Sequence, residues 1–127
     1  PFFPVFHVRP PAGHVNDPNG PFRDPKTGYV HLFMQYCPLG PCMGQSTPIT
    51  PGETPNYQSA AHFYSKDLVT WHYTGDDSGV IAGGKTESKT DCPDDHGVYS
   101  GSTTIVNGTP YYAYPGVHIN PIPFSDG

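Results

Sequence analysis

Gly13-His14-Val15-Asn16-Asp17-Pro18-Asn19-Gly20 is the stretch around which the chain is organised. One carboxylate, two amides, a proline and two glycines fall within eight residues, a composition that makes a tight, rigid turn rather than a helix or a mid-sheet strand. A residue before proline is pushed toward extended conformations, and Asn19-Gly20 tolerates positive φ, so the carboxylate of Asp17 is expected at a strand end, facing outward from a stiff backbone. That placement suits a nucleophile. The competing reading of the same residues is an Asx turn, in which Asp17 and Asn19 only bond to nearby backbone.

Working outward, short strands alternate with turn signals. Val5 to Val8 is a brief apolar segment, stopped by Pro10-Pro11. Arg23-Asp24-Pro25-Lys26-Thr27-Gly28 reads as a turn. Tyr29 to Tyr36, rich in β-branched and aromatic residues, reads as a central strand buried on both faces and the best-packed element. Residues 37–57 form a long loop rich in proline and glycine. Gln58 to Tyr64 and Leu68 to Tyr73 read as paired strands around Ser65-Lys66-Asp67, with Trp71 a core residue whose indole N–H is satisfied. Tyr99 to Val106, Asn107-Gly108 and Thr109 to Tyr114 make the clearest hairpin, because Asn-Gly fits a two-residue type I′ turn.

Composition agrees with a turn-rich, all-β chain: 127 residues carry 17 Pro, 15 Gly, 13% aromatic and 13% charged residues. A net charge of −5 with six Lys plus Arg disfavours nucleic acid and anionic membrane surfaces as partners. No apolar run approaches the roughly 20 residues that span a bilayer. The opening Pro1-Phe2-Phe3-Pro4, without a methionine or signal-like region, reads as a processed or excised piece.

Four segments in order carry a family resemblance: Asn16-Asp17-Pro18-Asn19-Gly20, Tyr29-Val30-His31-Leu32-Phe33-Met34-Gln35-Tyr36, Ser65-Lys66-Asp67-Leu68-Val69-Thr70-Trp71 and Tyr99-Ser100-Gly101-Ser102. Together they closely resemble the N-terminal motifs of glycoside hydrolase family 32, the invertases, fructan hydrolases and fructosyltransferases. The resemblance implies a five-bladed β-propeller, of which residues 1–127 would be an N-terminal part: roughly the first blade and part of the next. At about 40 to 50 residues per blade such a chain cannot close the ring, so the C-terminal part of the domain or another chain should cover it.

The resemblance also implies a retaining glycosidase acting on β-fructofuranosides such as sucrose or fructans, with no cofactor. Asp17 matches the nucleophile, and Asn16, Gln35, Tyr99 and Ser100 match positions that contact the fructosyl ring. Asn16, Gln35 and Ser100 are expected to converge with Asp17, the Ser100 hydroxyl bonding its carboxylate. The family's acid/base Glu-Cys-Pro and stabilising Arg-Asp-Pro lie downstream of the Ser-Gly-Ser segment. Here Arg23-Asp24-Pro25 and Asp91-Cys92-Pro93 precede it and read as loops, and Glu53 and Glu87 lie in polar loops. Family tryptophans that wall the sugar pocket align with His14, Met43 and Ala60, which weakens stacking against a sugar. The alternative function is a catalytically silent sugar-binding or structural module within a larger assembly.

Three cysteines leave at least one free or paired outside the chain. Cys37 and Cys42 flank a loop short enough for a disulfide. A metal site from Cys37, Cys42, Cys92 and His96 fits no familiar zinc spacing. Asn107-Gly108-Thr109 is a glycosylation sequon on a turn tip and leans toward a secreted or vacuolar route.

Overall fold

Six strands follow in chain order in the computed structural model, which describes residues 7–40, 57–75, 80–81, 94 and 97–117. They are β1 (His14–Arg23), β2 (Val30–Cys37), β3 (Ser59–Ser65), β4 (His72–Tyr73), β5 (Ser102–Val106) and β6 (Thr109–Ala113). The first four make one antiparallel sheet in the order β1-β2-β3-β4, and the last two form a separate hairpin. One four-stranded unit followed by a two-stranded start of the next, neither closed on itself, is the partial propeller that the sequence implies. No helix among the described residues is long and apolar enough to cross a membrane.

Side chains alternate across β2, so Leu32, Met34 and Tyr36 lie on one face and His31, Phe33 and Gln35 on the other. The first face holds the core: Tyr36, Ala61 and Phe63 are buried, and Val8, Val15, Met34, Trp71 and Tyr73 pack against them. The Trp71 indole N–H donates to the Leu68 carbonyl at 3.2 Å, as expected of a core tryptophan. The second face receives the hairpin, where Tyr112 stacks on Phe33 with centroids 4.1 Å apart.

Three expectations shift. Asn16 to Gly20 lie in a strand rather than a turn, because β1 is an edge strand and an edge tolerates proline where its ladder is interrupted. Both of its register irregularities involve a proline: one ends at Pro18, and the other contains Pro21. The partner strand after Asp67 shrinks to His72–Tyr73. Asp67 captures its own neighbourhood, its carboxylate accepting the N–H groups of Val69 and Thr70 at 2.9 and 2.7 Å, while Ser65 Oγ accepts that of Leu68 at 2.8 Å. Those bonds hold its pKa down at about 2 and leave Leu68 at φ 65°. Finally, β3 rather than β2 is the most buried strand: both are flanked by strands, but only β3 gains further bridges at its start, from Ala60 to Ile81 and from the preceding Gln58 to Gly97.

The hairpin forms as its sequence dictates. Asn107 and Gly108 take φ 50° and 75° between Val106 and Thr109, the signature of a type I′ turn. At the other turn, Asp24 accepts from Lys26 N–H at 2.9 Å and Thr27 Oγ1 at 2.6 Å, so Arg23-Asp24-Pro25 is a structural turn between β1 and β2.

Candidate functional site

Pro18 has no N–H to give the ladder, and the strand absorbs this with an extra residue. Val15 pairs with Tyr36 and Pro18 with Met34, so Asn16 and Asp17 together face the single residue Gln35. Such a bulge bends the strand and turns side chains out of the regular alternation. Asn16 and Asp17 are both exposed there, and Asn16 Oδ1 is bonded to His14 Nε2 at 2.9 Å. No bond to the Asp17 carboxylate is seen among the described residues.

Gln35 is 8% exposed, and its Nε2 donates to Ser100 Oγ at 2.8 Å, joining residues 65 apart in sequence. The segment carrying Ser100 is held on either side. Val98 N–H donates to the Gln58 carbonyl at 2.7 Å, and Gly101 N–H donates to Asn19 Oδ1 at 3.1 Å. The register thus sets Asn16 and Asp17 across the strand pair from Gln35, and Ser100 is bonded to Gln35 rather than to Asp17 as expected. The half-buried Tyr99 pairs through its N–H with the Pro115 carbonyl at 3.0 Å, its ring lying beside Gly97.

Ala60, opposite Gln35 on β3, is 2% exposed and presents no flat face toward a sugar. Cys37 is disulfide-bonded; Cys42, the partner its spacing suggests, lies outside the described residues, as do Met43, Asp91-Cys92-Pro93, Glu53 and Glu87. Asn107 is exposed at the hairpin tip. Among the described residues no group of three or more His, Cys, Asp or Glu side chains is placed to hold a metal ion.

Sequence reasoning passed over two features of the same face. Asn19 is 9% exposed and bonds to three partners, and Thr103 Oγ1 donates to the Gly20 carbonyl at 2.9 Å beside it. The second feature is a pair of histidines. His31 Nδ1 lies 3.0 Å from His62 Nε2, and His62 Nδ1 lies 2.8 Å from Thr74 Oγ1. Phe22 stacks on His31 at 4.6 Å, and Phe33 lies 4.8 Å from His62. The one available signal was the i, i+2 spacing of His31, Phe33 and Gln35 along a strand.

Burial lowers the pKa of both rings. His62 falls to about 4, first through desolvation and then through His31, whereas at His31 the Asp24 charge opposes the loss of solvent. A histidine with a depressed folded pKa is protonated first in the unfolded chain, so its stabilising effect is complete above about pH 6.5 and is lost as pH falls toward 4. For the partly exposed His62 this is worth about 1–2 kcal/mol after solvent screening. Urea unfolding should show a lower midpoint at pH 5 than at pH 7.5, and His62→Phe should flatten that difference; an equal pH slope in the variant would contradict the assignment.

Residues 7–122 match the family described as Glycosyl hydrolases family 32 N-terminal domain. The chain is 34% identical over 114 residues to "Beta-fructofuranosidase, insoluble isoenzyme 1" of Oryza sativa subsp. indica, covering 88% of this chain and 16% of that protein. It is 37% identical over 87 residues to the "Invertase" of Wickerhamomyces anomalus, covering 63% and 14%. Among solved structures, fructan 1-exohydrolase IIa from Cichorium intybus superposes with a TM-score of 0.58 at 27% identity, over 91% of this chain and 18% of that one. The chain thus spans less than a fifth of the length of these proteins.

Proposed function

Since this chain belongs to the glycosyl hydrolase family 32 N-terminal domains, we propose that it supplies the nucleophile side of a retaining site for β-fructofuranosides. The observation that carries the reading is the bulge that sets Asn16 and Asp17 opposite Gln35, with Gln35 bonded to Ser100. Amides and hydroxyls suit a polyol because they both donate and accept. In this reading Asn16, Gln35, Tyr99 and Ser100 hold the fructosyl hydroxyls. An Asp17 oxygen attacks the anomeric carbon, the bond to the leaving oxygen breaks, and a second carboxyl group gives that oxygen its proton. Water then hydrolyses the fructosyl–Asp17 ester, the second carboxyl acting as base.

Retention requires that second carboxyl about 5 to 5.5 Å from the first. Among the described residues Asp24 and Asp67 are committed to their turns and Asp94 accepts from the Tyr114 hydroxyl; in this reading the acid/base and the transition-state stabiliser are supplied by the remaining C-terminal part of the domain or by another chain. The relative in Pisum sativum is named a cell wall isozyme, and with the exposed sequon at Asn107 it supports a secretory or vacuolar route. A glycan on Asn107 would mark that route in the mass of the secreted protein.

The test compares the complete polypeptide with the 127-residue chain. The complete protein should release fructose from sucrose or inulin and no glucose from maltose, and the 127-residue chain should release none. Sugar binding without hydrolysis by the complete protein would favour a silent binding module, and turnover by the short chain, abolished by Asp17→Asn, would place the acid within these residues.

A further inference from the structure

We infer that Asn19 is a positioning residue, which fixes the nucleophile strand against the segment carrying Ser100 through a single side chain. The inference rests on the proposed function. Asn19 Nδ2 donates to the backbone carbonyl of Asp17 at 3.0 Å. Its Oδ1 accepts from the N–H of Gly101, the neighbour of Ser100, at 3.1 Å and also from the Tyr112 hydroxyl. One amide thus grips the residue that carries the carboxylate and, 82 positions from Asn19 itself, the residue next to the sugar-binding hydroxyl. Only an amide does both jobs, since the bond to Asp17 needs a donor and the other two need an acceptor.

The surroundings hold this amide in one orientation. Gly20, at φ 55°, lets Tyr112 come so close that a Cβ there would lie 2.7 Å from its ring. Tyr112 is itself fixed by its stack on Phe33, next to Gln35 on the same strand face, and burial raises its pKa so that the phenol stays a donor. Two bonds to a buried oxygen leave Asn19 little freedom to flip. Its nitrogen is accordingly aimed at Asp17, inside the bulge, where no regular ladder bond would otherwise set the height of that residue.

Asn19→Asp tests this in the complete polypeptide. The substitution keeps an acceptor for Gly101 and Tyr112 but replaces the donor to Asp17 with an oxygen that repels the carbonyl. Thr103→Val is the control: it removes another bond between the two sheets, to Gly20, without touching Asp17 or Ser100. If Asn19 positions the site, Asn19→Asp lowers kcat on sucrose by about 10²-fold, the scale of an ångström-sized misplacement, with KM changed less than about 3-fold and Tm within a few degrees of the parent. Thr103→Val lowers Tm and leaves kcat unchanged. The inference is overturned if Asn19→Asp keeps the parent kcat, or if both variants lose kcat in proportion to their loss of Tm. Asp17→Asn in the same series separates the two readings: if it keeps full turnover the proposed function fails, and if it alone loses turnover only the role of Asn19 fails.

Discussion

Asp17→Asn in the complete polypeptide is expected to lower kcat on sucrose or inulin by about 10⁴-fold or more, the scale on which hydrolases lose turnover when a covalent nucleophile is removed. The structural cost should be negligible. Asp17 is exposed, its carboxylate has no bonding partner among the described residues, and its tie to Asn19 runs through the backbone carbonyl, which the substitution keeps. The amide is isosteric, so an unchanged Tm alongside the lost turnover would assign the effect to chemistry. Loss of both together would instead make Asp17 a structural residue of the bulge.

Phe63→Ala should be the most damaging single change to the fold. Phe63 is 1% exposed on the most buried strand, pairs with Tyr73 across the β3–β4 edge, and lies with its ring 5.3 Å from the Tyr73 ring. Truncating it removes its transfer free energy and leaves a cavity that neighbouring strands cannot close, for about 3–5 kcal/mol. Ile105→Ala on the exposed hairpin, where the residue is 39% accessible, should stay within about 0.5 kcal/mol. Urea midpoints of the two variants measure the contrast, and equal shifts would mean that the core lies elsewhere.

What could be read in advance was local. The Asn107-Gly108 turn declares itself because both residues tolerate left-handed backbone, and the flanking strands follow from it. The four motifs in order point to the family before any contact is known. Misreadings arose where a neighbour's choice decided the outcome. Pro18 looks like a turn residue, yet at a sheet edge it ends a bulge, and whether β1 is an edge depends on strand order that no local pattern carries. Leu68 to Thr70 have strand composition, but the Asp67 carboxylate and the Ser65 hydroxyl take their N–H groups first.

Long-range pairings were the least legible. Gln35 and Ser100 could be named from the motifs, but their mutual bond depends on how the second hairpin docks. Asn19 was visible as a residue tolerant of positive φ or bonding nearby backbone, whereas its part in the site comes from a buried amide that adds two distant partners, Gly101 and Tyr112, to its local bond with Asp17. His31 and His62 meet through a register of β2 on β3 that pairs His31 with Tyr64 and Phe33 with His62. A shift of one residue would send the two rings to opposite faces.

The most direct measurement of the account is to trap the covalent intermediate. Rapid acid quench of the complete polypeptide during turnover of sucrose, followed by peptide mass spectrometry, should find one fructosyl group esterified to Asp17 within the Asn16-Asp17-Pro18-Asn19-Gly20 peptide. A fructosyl ester on a different carboxylate, or steady turnover with inverted product configuration and no adduct at all, would contradict it.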